Sequence, residues 1–256
     1  MSEDALNGVM WDLGKFDFRI PYFGDMEKTV YIFKANLEEV VWHFLRTLQN
    51  NPSTLPQTAT ILKGQTVSGI SVGDLMQVKN YGDGAKELIR MLRAGEFDLT
   101  EQCACSIHRH VSSQNSPKLG VFRSPDIDVR SIDNTPSAFH SLSALAEKGF
   151  DFLKTKVADP KERAVALFLF MSRSQFFCDA NLRTSSLMMN GCLMQNGYWP
   201  ITVLNRDSEE FHEKLGRFYE TGNANEMMDF FARMVADIYP GQDLPEATKS
   251  IGSTKG

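Results

Sequence analysis

The densest chemistry in this 256-residue chain lies in one run, Gln175-Phe176-Phe177-Cys178-Asp179-Ala180-Asn181-Leu182-Arg183-Thr184. A small residue followed by Asn at a helix start leaves several backbone N–H groups without intrahelical partners. Those donors and the positive end of the helix dipole together make an anion site. Asp179 stands beside it with a carboxylate suited to Mg2+, a cation that pairs naturally with phosphate. Arg183 sits one turn into the helix, where a guanidinium fork can clamp a phosphate oxygen. The same residues also read as an interhelical turn capped by Asp and Asn, with Arg183 paired locally. Residue types and spacing leave both readings open.

Other signals are weaker. Cys103-x-Cys105-x-x-His108-x-His110 contains four metal-ligand types, but 103 and 105 point to different faces of a helix and the spacing fits no standard finger. A packed or capped helix is expected there. Cys178, close to a helix N-terminus, is a candidate thiolate nucleophile, against the plainer reading of a small turn residue. His140 and His212 fall on ordinary amphipathic stretches. No G-x-x-x-x-G-K-[ST], G-x-G-x-x-G or H-E-x-x-H pattern occurs.

Composition narrows the function classes. Lys plus Arg number 27 against 32 Asp plus Glu, a net charge of -5, which argues against a nucleic-acid polymer as partner but allows a local basic pocket. The longest apolar run, Ala164 to Met171, is too short for a membrane span. Four cysteines without a small-scaffold spacing, and an acidic N-terminus without a signal pattern, point to a reduced, cytoplasmic protein. An oligomer is compatible with the sequence.

The elements that must position the 175–184 run are mostly helical. Periodicity predicts one helix over 27–49, ended by Asn50-Asn51-Pro52, and a short helix over 54–62 closed by Gly64. Ser71 caps a long helix reaching about Arg93, with Gly82 and Gly84 as weak points and Gly95 as its stop. A further helix covers about 99–111. In the irregular stretch 112–135, Val121-Phe122-Arg123 and Ile127-Asp128-Val129 bracket Ser124-Pro125-Asp126 as a hairpin. Helices follow over 137–156, from Asp159-Pro160 to about 174, and from 181 to 196 with Gly197 behind it. Two amphipathic helices around Phe211 to Phe218 and Met227 to Ile238 precede a polar tail from Gly241. The fold class is mainly α with one β-hairpin.

Here the chain resembles a known family. Phe177-x-Asp179-Ala180-Asn181-x-Arg183-Thr184 is similar to the signature loop of the Fic/Doc family, H-P-F-x-[DE]-[GA]-N-[GK]-R. Thr66 to Ser71 with Asp74, Val78 and Asn80 is similar to the family's upstream helix entry. Ile107-His108 and Gly120-Val121-Phe122-Arg123 match the lead into its flap, and Asn190-Gly191 through Asn196-Gly197-Tyr198 match the end of its post-motif helix. The resemblance implies a Fic-like helical bundle over 45–200, preceded by an arm and helix over 1–44 and followed by helices over 201–240 and a tail over 241–256. It implies Mg2+ at Asp179, ATP phosphates at Asn181 and Arg183 with the amides of Ala180, Asn181, Leu182 and Arg183 as anion hole, and Phe177 as loop anchor. Thr184 completes the nucleotide-binding run. Residues 120–133 would form a flap that aligns a segment of a target protein as an added strand. Most members transfer AMP from ATP to a protein hydroxyl, and Doc-like members with the Ala-Asn-x-Arg-Thr variant transfer phosphate.

Three departures bear on activity. The family's catalytic His falls on Gln175, whose amide accepts no proton at a useful pH, and loss of a general base costs about 10²- to 10⁴-fold. Leu182 replaces Gly or Lys, and the second arginine of AMP-transferring members falls on Ser186. The inhibitory S/T-x-x-x-E-G/N helix has as its nearest match Leu45-Arg46-Thr47-Leu48-Gln49-Asn50, without its Ser/Thr and Glu. The expectation is a weakened or altered transferase, with a catalytically inactive module that binds a nucleotide or a protein as the alternative.

Overall fold

The computed structural model describes residues 5–112, 118–124 and 141–238. The far hairpin limb at 127–129, most of the 120–133 flap, His140, the start of the 137–156 helix and the tail from 241 lie outside them. Ten α-helices and no sheet occur among the described residues. They are α1 (Met26–Ala35), α2 (Leu37–Gln49), α3 (Leu55–Leu62), α4 (Val72–Ala94), α5 (Glu101–Val111), α6 (Leu142–Lys156), α7 (Pro160–Ser174), α8 (Asn181–Gln195), α9 (Ser208–Thr221) and α10 (Asn225–Ile238). The mainly α expectation therefore holds, and residues 121–124 form no strand. No helix among the described residues is long and apolar enough to cross a membrane.

Helix starts follow local chemistry. Thr54 and Gln57 make a reciprocal capping box on α3, and Ser71, Thr100, Ser141 and Asp159 each accept a backbone N–H of the helix they open. Asn50, Gly95 and Gly222 end α2, α4 and α9 in the left-handed region.

One expectation of a continuous helix needs correction, and one is borne out. The single helix over 27–49 is broken at Asn36, where φ is -105° and ψ 11°. Its Nδ2 donates to the Ile32 carbonyl at 2.9 Å, a side-chain bond that competes with the backbone ladder. Conversely, α4 runs unbroken through Gly82 and Gly84. A Cβ on Gly82 would lie 2.4 Å from the Leu62 side chain, and one on Gly84 would lie 2.2 Å from Val111 Cγ1. These glycines are places of close approach between helices, a gain that outweighs their poor helix propensity.

Helices α7 and α8 pack against each other more extensively than any other pair, and they form the centre of the molecule. Almost every residue of α7 from Ala164 to Ser174 is buried, as expected for a helix that is apolar all round. Helix α8 is as deeply buried but carries Thr184, Ser185 and Ser186. Their hydroxyls turn back onto the carbonyls of Ala180, Asn181 and Arg183, so none of the three is stranded. The core is one continuous cluster from Leu6 to Val235. The N-terminal arm belongs to it: Phe18 is fully buried, and Trp11 Nε1 and the Gly14 amide both donate to the buried Glu162 carboxylate at 2.8 Å.

The tight spot at Gly84 makes a stability test. Gly84→Ala is expected to destabilise by about 1–3 kcal/mol through overpacking against Val111 and Leu187. Gly216→Ala, in open space on α9, is expected to stabilise by up to about 1 kcal/mol. Denaturant melts of the two variants check both signs.

Candidate active site

The loop between α7 and α8 is set by two residues in the left-handed region. Gln175, the C-cap of α7, has φ +47°, and Ala180, the N-cap of α8, has φ +54°. Each costs a non-glycine residue on the order of 1–2 kcal/mol, so surrounding bonds must hold it there. Asn181 supplies most of them. Its Oδ1 accepts the Phe177 N–H at 2.9 Å, while its Nδ2 donates to the Phe177 carbonyl at 2.8 Å and to Gln175 Oε1 at 2.9 Å. The other end of the Gln175 amide donates to the Ser172 carbonyl. From outside the loop, Arg123 Nε donates to the Gln175 carbonyl at 2.6 Å and the Arg123 N–H donates to the Phe176 carbonyl at 2.8 Å.

Two aromatic rings anchor the loop below. Phe176 stacks on Phe122 with centroids 4.8 Å apart and meets Phe170 edge-on. Phe177 lies almost parallel to the His108 imidazole, 3.9 Å away and 5° off. Both phenylalanines are buried, as the anchor role expected of Phe177 requires.

Above the anchors, the loop presents Asp179 and the start of α8. Ser112 Oγ donates to Asp179 Oδ1. His108 Nε2 faces that oxygen at 3.6 Å, and an Arg183 terminal nitrogen lies 3.7 Å from Oδ2. Burial, the largest influence on this carboxyl, raises its pKa, but polar contact with His108 and Ser112 and the Arg183 charge together outweigh it. The carboxyl titrates below the usual Asp value and carries its charge near neutral pH. Arg183 is almost wholly buried; burial lowers its pKa and the Asp179 charge opposes that.

The site has donors in want of an acceptor. Arg183 Nε is buried with no hydrogen-bond partner. The first intrahelical bond of α8 is Thr184 N–H to the Ala180 carbonyl at 2.9 Å, and no side chain caps this end. The amides of 181–183 thus have no intrahelical acceptor. Among the described residues no group of three or more His, Cys, Asp or Glu forms a metal cage. One carboxylate beside an anion site is what Mg2+ uses when phosphate supplies the remaining oxygens, so these residues fit a metal–nucleotide complex.

The expected site residues are therefore not equivalent. Asp179 and Arg183 come together, and Gln175 and Asn181 come together one layer below. Ala180 and Leu182 contribute backbone, Leu182 resting its side chain against the core, and the Thr184 hydroxyl is turned inward. The Asn181 side chain is spent entirely within the loop. Cys178 is half-buried with a free thiol. The Cys103 thiol donates to the Glu96 carbonyl at 3.3 Å, so the 103–110 cluster is a packed helix. Ser112, Arg123 and the orientation of His108 were not indicated as site features by residue spacing, because each reaches the loop from another element.

Comparison with known proteins follows the same residues. Residues 98–193 match the sequence model of the Fic/DOC family. The chain is 25% identical over 222 residues to the protein adenylyltransferase Fic of Drosophila willistoni, covering 81% of this chain and 43% of that protein. It is 26% identical over 191 residues to the protein of the same name from Nematostella vectensis, covering 73% and 44%. The chain thus spans less than half the length of these relatives. Among solved structures, residues 134–508 of Fic-1 from C. elegans are similar with a TM-score of 0.70 at 20% identity, covering 88% of this chain and 72% of that one. A Fic domain containing signaling protein from Bacteroides thetaiotaomicron gives a TM-score of 0.61 at 20% identity, covering 83% and 85%. These likenesses are of fold.

Two outcomes are expected. Asn181→Ala strands the Phe177 N–H and the Gln175 amide oxygen, and is expected to destabilise by about 2–4 kcal/mol in a denaturant melt, with faster amide exchange at Phe177. Asp179 has a folded pKa below its unfolded one, so its contribution to stability is present above the ordinary carboxylate range and is lost as pH falls through the folded value. Stability compared between wild type and Asp179→Asn from pH 7 downward should show that component in wild type alone.

Proposed function

From residues 98–193 being a Fic/DOC family domain, we propose that this protein takes up Mg-ATP at the α7–α8 loop and transfers AMP, or phosphate, to a hydroxyl side chain of a target protein. The observation that carries the reading is the convergence of ionised Asp179, the unpartnered Arg183 Nε and the open start of α8 at one corner. Asp179 would hold the cation, and Arg183 with the amides of 181–183 would take phosphate oxygens. When bound, Mg2+ offsets the negative charge that develops on those oxygens. The 120–133 flap would present the target segment by strand addition.

Transfer requires the attacking hydroxyl to lose its proton as the leaving pyrophosphate, or ADP, departs. Gln175 offers nowhere to put it: Oε1 already accepts from Asn181, Nε2 already donates to the Ser172 carbonyl, and the side chain is 4% exposed. Its part is to shape the loop. Transfer is accordingly slow, with water receiving the proton. The same observation favours a second reading, a nucleotide- or protein-binding module without transfer. The names of the relatives favour the first.

The two readings separate on labelled ATP. Wild type and Gln175→His are incubated with ATP labelled at the α- or the γ-phosphate, alone and in lysate. The transferase reading expects faint protein label from wild type and about 10²- to 10⁴-fold faster labelling from the His variant. α-Label identifies AMP transfer and γ-label phosphate transfer. Label from the His variant alone supports the silent module, and no label with no ATP binding by either protein ends both nucleotide readings.

A further inference from the structure

His108 has no task in the chemistry above, yet its geometry is specific. The imidazole is fully buried on α5, clamped face to face on Phe177. Its Nδ1 accepts the Gly120 N–H at 3.0 Å, so the ring proton sits on Nε2. Nε2 has no hydrogen-bond partner and faces Asp179 Oδ1 at 3.6 Å, just beyond hydrogen-bonding distance. A phenylalanine would stack on Phe177 equally well but would leave the buried Gly120 N–H without its acceptor, so Nδ1 accounts for one polar edge of the ring. The other edge, Nε2–H, still needs a use, and the polar atom placed to use it is the carboxylate oxygen that Ser112 also holds. Oδ2 is left on the side of Arg183.

We propose that His108 is a positioning residue for Asp179. Fixed as the Nε2–H tautomer by the Gly120 amide, it holds Oδ1 together with Ser112 and leaves Oδ2 turned toward the end of α8 for the cation of a metal–nucleotide complex. Outer partners of this kind orient a ligating group, and their loss typically weakens metal affinity about 10- to 100-fold. The inference rests on the reading of Asp179 as the cation's ligand. It adds that the backbone leading into the flap, at Gly120, and the cation's carboxylate share one ring.

The test uses the full chain with ATP and Mn2+ as the probe, which is titrated calorimetrically and followed by the paramagnetic signal of the bound ion. His108→Phe keeps the stack and loses both the Nε2–H donor and the acceptor of the Gly120 N–H; His108→Gln keeps a donor at similar reach. Expected are Mn2+–ATP binding about 10- to 100-fold weaker in His108→Phe and within a few-fold of wild type in His108→Gln. ATP binding in the presence of a chelator should be unchanged in both, because the phosphate half does not run through Asp179. A general packing role would instead weaken metal-free binding equally, which overturns the inference, as does a His108→Phe variant that binds Mn2+–ATP like wild type. Circular dichroism checks that each variant folds. A long-range proton–nitrogen spectrum of the wild-type imidazole needs no variant: an Nδ1–H or doubly protonated ring overturns the proposal. A wild type that binds no Mn2+–ATP removes the nucleotide reading itself, whereas binding with the wrong tautomer removes only the role of His108.

Discussion

The amide of Asn181 is the interaction on which the site's geometry depends. One side chain closes the peptide of Phe177 from both ends and reaches Gln175 as well, spanning the whole loop with three hydrogen bonds. This staple keeps two residues in the left-handed region, reverses the chain between α7 and α8, and directs Phe177 onto His108. Because each bond is buried and reciprocal, the loop reaches its shape before any ligand arrives. A site held in this way loses little ordering entropy on binding, which is the sense in which it is preorganised.

That architecture divides the loop into two layers. The upper one, Asp179 and the start of α8, is charged, partly open and short of acceptors. The lower one, Gln175, Asn181 and the aromatic anchors, is dry and saturated. A glutamine suits the lower layer well, since its two amide ends satisfy two neighbours at once and its geometry does not change with pH. What it lacks is a lone pair free to receive a proton. The upper layer has donors suited to an anion, and the side chain at 175 is one that takes up no proton.

Much of this could be read from local sequence. Helix starts at Thr54, Ser71, Thr100 and Asp159 are encoded by a side chain two or three residues from the amide it caps, so short-range chemistry suffices. Asp179 and Arg183 were legible because a helical turn puts them on one side of the α8 end, and the likeness to a family loop marked Gln175. Illegible features are those where distant elements meet. Asn36 breaks a helix whose apolar period continues past it, and Gly82 and Gly84 look like weak points until Leu62 and Val111 are seen to need the space. Ser112, His108 and Arg123 reach the loop from α5 and the segment after it, a convergence that spacing along the chain does not encode.

Ser186 carries a consequence for how this chain could change over evolutionary time. Its hydroxyl is paired with the Tyr81 hydroxyl at 2.9 Å, and Tyr81 is fully buried against Phe44. An arginine at 186, as in AMP-transferring members, would have to enter a filled and dry space, expel a tyrosine and bring an unmatched charge with it. A histidine at 175 needs one exchange, whereas an arginine at 186 needs more than one, because the space beside Ser186 is filled by Tyr81. The base position is open to exchange and the clamp position is closed by packing: an arginine at 186 demands that α4 and α8 change together.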